Sequence, residues 1–319
     1  MSSATHLDFV TVDVFTSLPY EGNPLAIIRI PHDRIVSQAQ KQTIAREFNL
    51  SETTFLHEKG KDTQEDTWTV DIFLTTQEIP FAGHPTIGTA CYILGRVAQE
   101  RGIQDGVIEA SFRLKAGPVG LRYDVARRIA KADIPHNVHI HEKRWTRDEL
   151  FVLQPQLAGA FQQGKIQAKE DYAIVSIVKG MTFVLVELES LEALSLVSLA
   201  SKALKVNGLD ENWSDTFTGA YFFVRTSKSE DGSTEVQTRM IEGPLEDPAT
   251  GSAASALVAF LSITEGKAGE TAKYAIVQGV EMGRRSEIFI EVDLAEDRSI
   301  SKLCLQGEAV RVMEGRLAV

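Results

Sequence analysis

Two cysteines, Cys91 and Cys304, are all that the 319 residues contain. So few thiols leave no disulfide framework of the kind that staples small secreted domains. Cys91 stands among Ala90, Tyr92 and Ile93, which reads as a buried thiol in a reducing, cytoplasmic compartment. No apolar run approaches the ~18 residues that a membrane span needs. The opening, MSSATHLDFVTVDVFT, lacks a basic end followed by an apolar block, so no secretory signal is expected. Positive charge is short too: 33 Lys and Arg stand against 44 Asp and Glu, a net charge of −11. That balance repels nucleic acid and anionic membrane surfaces. The pairs Arg127-Arg128 and Arg284-Arg285 read as solvated surface rather than a phosphate track. The sequence has no G-x-x-x-x-G-K-[ST] loop, no G-x-G-x-x-G, no G-x-S-x-G elbow and no H-E-x-x-H.

What is present is the composition of a soluble globular chain, 43% apolar and 24% charged, long enough for two domains. LDFVTVDVF, PLAIIRI, TTFLHE and TWTVDIFLT carry β-branched and aromatic residues at strand length. SQAQKQTIAREFNL predicts an amphipathic helix capped by Ser37, and Gly83 to Ala98 a second helix. VIEASFRLKAGPVGLRYDV predicts a hairpin turning at Ala116-Gly117-Pro118, and YAIVSIVKGMTFVLVEL one turning at Lys179-Gly180. SLEALSLVSLASKAL and SAASALVAFL read as helices. AYFFVRT, STEVQTRMI, AKYAIVQG, SEIFIEVDL, KLCLQGEAVRVM and RLAV read as strands. Hairpins outnumber strand–helix–strand crossovers, so an α+β fold of mixed, largely antiparallel sheets is expected. ARRIAKADIPHNVHIHEKRW is polar and irregular and suggests a boundary, giving an N-terminal half of residues 1–125 and a C-terminal half of residues 126–306.

PFAGHPTIGTACYIL and, about half a chain later, EDPATGSAASALVAF share one layout. Each runs from Pro through Ala and a glycine turn to a short polar side chain, His84 or Ser252, and then into an apolar helix. A helix with no polar face is buried all round, so each half is expected to curl a sheet around a central helix. The backbone N–H groups at such a helix start have no intrahelical acceptor and favour an anion. Two helix starts facing each other between the halves would hold a carboxylate; two ordinary core helices would show the same pattern.

Nearby acids admit two readings each. Asp247, ahead of Pro248, is a turn or cap residue or a site group. Glu52, in FNLSETTFL, faces water or faces a pocket, where apolar walls would raise its pKa toward that of an acid/base. His84 is a satisfied structural histidine or a proton donor. His136, His139 and His141 crowd HNVHIH, and His139 and His141 share a strand face. With no cysteine nearby, that stretch reads as polar surface and no metal is expected.

These segments together resemble the phenazine-biosynthesis PhzF-like isomerases, within the diaminopimelate epimerase-like fold. VDVFTSLPYEGNPLAII, NLSETTF, PFAGHPTIG, EDPATGSA, QGVEMGRRSEI and GEAVRVMEGRL match in order along nearly the whole chain. The resemblance implies two similar halves, each a mostly antiparallel curled sheet around a central helix. It also implies that the segment from about Gly307 (307–319) rejoins the first half. It gives Glu52 the role of moving a proton, His84 and Asp247 the role of its partners, and Gly83, Gly251 and Ser252 that of donors to a substrate carboxylate. The family's best-known activity isomerises a dihydro-hydroxyanthranilate without a cofactor, and its members form homodimers. Related epimerases place a cysteine beside each helix start; here those places hold Ala82 and Thr250, which speaks against a two-thiol epimerase. Val125 to Glu170 shows no specific match. A non-catalytic small-metabolite binding protein using the same cleft stays open as the alternative.

Overall fold

The computed structural model describes residues 6–60, 66–214 and 216–319, so the reading of the first five residues as the start of a signal-free chain lies outside it. The chain forms two compact units. The first comprises residues 1–134 and 305–319, and the second residues 135–304.

The first unit opens with strands β1 (His6–Val14) and β2 (Asn23–Ile30), helix α1 (Gln38–Phe48), then β3 (Thr53–His57), β4 (Thr67–Phe73) and β5 (Glu78–Ile79). Helix α2 (Gly83–Arg101) follows, then β6 (Val107–Leu114), β7 (Gly117–Asp124) and β8 (Ile129–Asp133). The second unit contains β9 (His139–Thr146), α3 (Arg147–Leu153), α4 (Pro155–Gln162), β10 (Asp171–Val178), β11 (Met181–Glu187), α5 (Leu191–Ser195) and β12 (Phe217–Lys228). It continues through β13 (Thr234–Glu242), β14 (Leu245–Asp247), α6 (Gly251–Glu265), β15 (Thr271–Gln278) and β16 (Ser286–Leu294). After β17 (Ile300–Gly307), the last strand, β18 (Ala309–Ala318), belongs to the first unit and pairs antiparallel with β1.

The two units repeat one pairing scheme. In the first, β1–β2 is antiparallel, β2–β3 parallel, β3–β4 and β4–β5 antiparallel, β4–β6 parallel and β6–β7 antiparallel. In the second, β10–β11, β11–β12, β12–β13, β13–β14, β13–β15 and β15–β16 follow the same series of directions. Helix α2 packs on β1, β2, β3, β7, β8 and β18, and α6 packs on β10, β11, β15 and β16. Each helix is wrapped by the sheet of its own unit, as the absence of a polar face requires. Gly88 makes this possible in the first unit: a Cβ there would stand 2.6 Å from Val14 Cγ2 and 2.8 Å from Leu25 Cδ2.

Local sequence rules account for several boundaries. Ser37 caps α1 in a reciprocal capping box with Gln40, and Asn49 closes it in the left-handed conformation. Gly102 ends α2 the same way. Gly22 holds φ +65°, and a Cβ there would meet the Val14 carbonyl oxygen at 2.3 Å, so the Gly-Asn-Pro turn into β2 needs glycine. α1 covers a cluster of Leu7, Ile28, Ile30, Val36, Ala45, Phe55 and Phe73. A larger cluster in the second unit joins Trp145, Leu157, Tyr172, Phe222 and Ile241 beneath α3, α4 and α5.

Four expectations are corrected. Ala126–Trp145 is not irregular: it contains β8, whose Ile129, Ala130 and Ala132 are buried, and β9. Pairing of β8 with β7 keeps the chain in the first unit through Ile134, beyond the expected boundary at residue 125. The helix read from SLEALSLVSLASKAL stops at Ser195, because Ser198 N–H donates to the Gln154 side chain and Ala200 N–H to the Gly243 carbonyl. The first hairpin turns at Lys115-Ala116, since Gly117 already pairs with Leu114. Among the described residues, no helix is long and apolar enough to cross a membrane.

Candidate functional site

In the first unit, Glu52 lies between the end of α1 and the start of β3, and His84 occupies the second position of α2. Glu52 Oε2 stands 3.5 Å from His84 Nε2, and the side chains are only 15% and 6% exposed. That oxygen is buried with no hydrogen-bond partner among the described residues. Burial pushes the Glu52 carboxyl from the usual 4.5 up to about 7, against a smaller downward pull from a Ser51 hydrogen bond. The Glu52 carboxyl is therefore largely desolvated and does not face bulk water. Its neighbour on β3, Thr54, ties strand to helix through a 3.0 Å hydroxyl contact with Thr89 of α2.

The start of α2 is open. Ala82 is the N-cap, no side chain caps it, and its first turn has no acidic residue. Pro85 has no N–H to leave unsatisfied. No capping side chain or first-turn acid offsets the partial positive charge of this helix start, which favours an anion.

The second unit gives the matching element a different chemistry. α6 also begins with an N-cap, here Thr250, whose side chain does not cap the helix, and again without an acid in its first turn. Gly251 and Ser252 occupy its first two positions, as Gly83 and His84 do in α2. Ser252 is half-buried. Asp247 ends β14, and its Oδ2 accepts a 2.5 Å hydrogen bond from Thr250 Oγ1. Gln278, fully buried at the end of β15, fixes this corner. Its Nε2 donates to the Asp247 carbonyl at 2.8 Å and to Thr250 Oγ1 at 3.0 Å. Its Oε1 accepts from Tyr221 Oη at 3.0 Å and from Thr250 N–H at 3.3 Å.

The structure thus brings Glu52 to His84 in one unit and groups Asp247 with the Gly251-Ser252 helix start in the other. Thr250, Gln278 and Tyr221 are the polar residues that sequence reasoning missed. Gln278 opens the stretch QGVEMGRRSEI, but nothing local ties it to a position 31 residues earlier. Neither cysteine joins these groups. Both are buried and unbridged. Cys91 Sγ donates to the Gly307 carbonyl at 3.5 Å, and burial pushes its thiol up to about 12, so it stays protonated.

The family described as phenazine biosynthesis-like protein matches residues 12–315. An isomerase of Mesorhizobium japonicum, itself uncharacterised, is 28% identical over 98% of this chain and 99% of its own length. The trans-2,3-dihydro-3-hydroxyanthranilate isomerase of Pseudomonas aeruginosa is 30% identical over 97% of this chain and 98% of its own length. Among solved structures, the PhzF-family protein of Bacillus anthracis superposes with a TM-score of 0.71 over 99% of this chain and 100% of its own, at 18% identity. The hydroxyproline epimerase of Agrobacterium vitis, with bound trans-4-hydroxy-L-proline, superposes with a TM-score of 0.58 over 98% of this chain and 93% of its own, at 14% identity. The fold is therefore the one expected, and the chain belongs to the phenazine biosynthesis-like (PhzF) family of isomerases.

Proposed function

We propose that this chain is a cofactor-independent isomerase that moves a proton within a small carboxylic acid, with Glu52 as the group that takes and returns it. The carrying observation is the buried Glu52 carboxyl, 3.5 Å from His84 Nε2 and with its pKa pushed up to about 7. Such a group is ionised often enough near neutral pH to remove a proton and acidic enough to give it back. The Glu52 carboxylate accepts a proton from one substrate carbon, and the C–H electron pair enters the conjugated system. The carboxylic acid so formed then delivers the proton to a second carbon on the same face. No electrons leave the substrate, so the step needs no oxidant or reductant. In this reading His84 and Asp247 hydrogen-bond the substrate's polar groups, and Gly83, Gly251 and Ser252 supply N–H and hydroxyl donors to its carboxylate. A dihydro-hydroxyanthranilate is the substrate class, on the strength of the Pseudomonas aeruginosa relative. The active form is a homodimer, which light scattering checks.

The test incubates the protein with trans-2,3-dihydro-3-hydroxyanthranilate in deuterated water and reads product and mass shift. The wild type is expected to isomerise it, and Glu52→Gln to bind it without turnover. A Glu52→Gln variant with full turnover would overturn the assignment. Binding by the wild type with neither isomerisation nor exchange would establish a non-catalytic metabolite-binding protein instead.

A further inference from the structure

Two histidines that the sequence presents as polar surface acquire a third partner in the fold. His139 and His141 alternate along β9, so both rings project from one face. The loop between α5 and β12 brings Asp210 to that face. One ligand atom from each of His139, His141 and Asp210 lies within 4.8 Å of the others, the only such trio among the described residues. His139 Nε2 is 2.7 Å from Asp210 Oδ2, and His141 Nδ1 is 3.7 Å from the same oxygen.

The surroundings orient these atoms. His141 has a fully buried side chain, and its Nε2 meets Ser176 Oγ at 2.9 Å, which in turn meets Thr182 Oγ1 at 2.7 Å. That leaves Nδ1 directed at Asp210, whose N–H donates a long 3.3 Å hydrogen bond to it. Both Asp210 oxygens accept from Glu142 N–H at 3.3 Å. Trp213 stacks on the His139 ring at 4.7 Å between centroids and fixes its plane. Lys143 Nζ donates to the Asn207 carbonyl and anchors the same loop on β9. His139 and Asp210 remain 34% and 23% exposed, so an ion has a route in.

We propose that His139, His141 and Asp210 bind a divalent cation of the zinc class, which clamps the 207–213 loop onto β9. Two imidazoles and one carboxylate are borderline ligands that suit zinc, cobalt and nickel better than calcium or magnesium. A metal-ligating histidine usually has its second ring nitrogen held by a hydrogen-bond acceptor, a place that Ser176 Oγ fills for His141. Ligands about 2.0–2.2 Å from a tetrahedral ion stand roughly 3.3 Å apart. The 2.7 Å pair must therefore open and the 3.7 Å pair close by about half an ångström each, and the two imidazole nitrogens, which lie within 4.8 Å of each other, must settle to the same spacing.

The experiment titrates the EDTA-treated full chain with Zn2+ by calorimetry and with Co2+ by tryptophan fluorescence. One equivalent of Zn2+ is expected to bind. Co2+ is expected to quench emission reversibly through Trp213, an effect lost in Trp213→Phe. Asp210→Asn and His139→Gln should each weaken binding by at least about tenfold, while His136→Gln leaves it unchanged. A hydrogen-bonded His–Asp cluster with no ion affinity would show no saturable Zn2+ binding, and that result overturns the proposal. So does Zn2+ binding that survives Asp210→Asn, or that His136→Gln abolishes. If His139→Gln fails to fold, the wild-type titration and the near-isosteric Asp210→Asn decide alone.

Discussion

The hydroxyls of Thr54 and Thr89 meet at 3.0 Å inside the first unit, and both residues are fully buried. Through this contact the strand that starts beyond Glu52 is fastened to the helix that carries His84 in its first turn. Thr89→Val keeps the shape and removes one hydroxyl, leaving Thr54 Oγ1 only a 3.4 Å contact to the Ala26 carbonyl. A loss of about 1–2 kcal/mol in stability is expected, the cost of a buried hydroxyl with a poor partner. Chemical denaturation measures it. If Glu52 and His84 depend on this fastening, turnover of the folded variant drops as well; an unchanged kcat would show that the contact serves stability alone.

Glu52 makes stability depend on pH with a definite sign. Its carboxyl titrates near 4.5 in an unfolded chain and near 7 in the folded one. Between those values the folded state holds a proton that the unfolded state has released, so stability falls as pH rises. The contribution is fully present below about pH 4.5 and lost above about pH 7, a change on the order of 3 kcal/mol. In Glu52→Gln this slope disappears, so the variant should gain on the wild type between pH 4.5 and 7.5 in parallel urea titrations. If Glu52 is the base, activity runs the other way, since a base must be ionised: kcat/KM is then expected to rise with pH through about 7. A stability difference independent of pH would mean that Glu52 is not desolvated.

How far the sequence foretold these features depends on whether their causes were local. Ser37 and Gln40 form their capping box within one turn, and Gly83-His84-Pro85 opens α2 by rules confined to a few residues. Both were legible. The duplicated layout was legible as well, since PFAGHP and DPATGS repeat the same small-residue turn into a buried helix. The end of α5 was not: Leu196 to Leu204 keeps a helical pattern, but Gln154 and Gly243, distant in sequence, take its backbone N–H groups. β8 was missed because its pairing with β7, rather than its own periodicity, makes it a strand, and β9 was foreseen only as the strand face that carries His139 and His141. Glu52 could be read both ways until its burial was visible. Asp210 offered no signal at all, since only the loop's path brings it to His139.

Gln278 is predicted to matter more than its distance from the motif suggests. Gln278→Ala removes the acceptor for Tyr221 Oη and Thr250 N–H and the donor to the Asp247 carbonyl. Several buried groups then lose their partners together, and a loss of about 2–4 kcal/mol is expected. Tyr221→Phe removes one donor of the same network and should cost about 1 kcal/mol. If Asp247 acts in the reaction, the Gln278→Ala variant that still folds should lose at least about tenfold in kcat with a smaller change in KM, the pattern of a misplaced group rather than a lost binding contact. Equal effects of the two substitutions on stability and kcat would argue that Gln278 is not the hub of the network.

Two glycines in helices should respond to alanine with opposite signs. Gly88 lies in α2 where the helix is pressed against β1 and β2, and a methyl group would enter within 2.6 Å of Val14 and 2.8 Å of Leu25. Both neighbours are themselves buried, at 0% exposure each, so neither side chain has room to swing away. Gly88→Ala is expected to destabilise by about 1–3 kcal/mol, as overpacking does in a filled core. Gly159 sits inside α4 with nothing within 4 Å of the added carbon. There the methyl group meets no obstacle and restricts the unfolded chain, so Gly159→Ala should stabilise by about 0.5–1 kcal/mol. Thermal unfolding of the two variants beside the wild type reads both signs at once. Stabilisation by Gly88→Ala would mean that the sheet does not wrap α2 as tightly as the contacts at Val14 and Leu25 require.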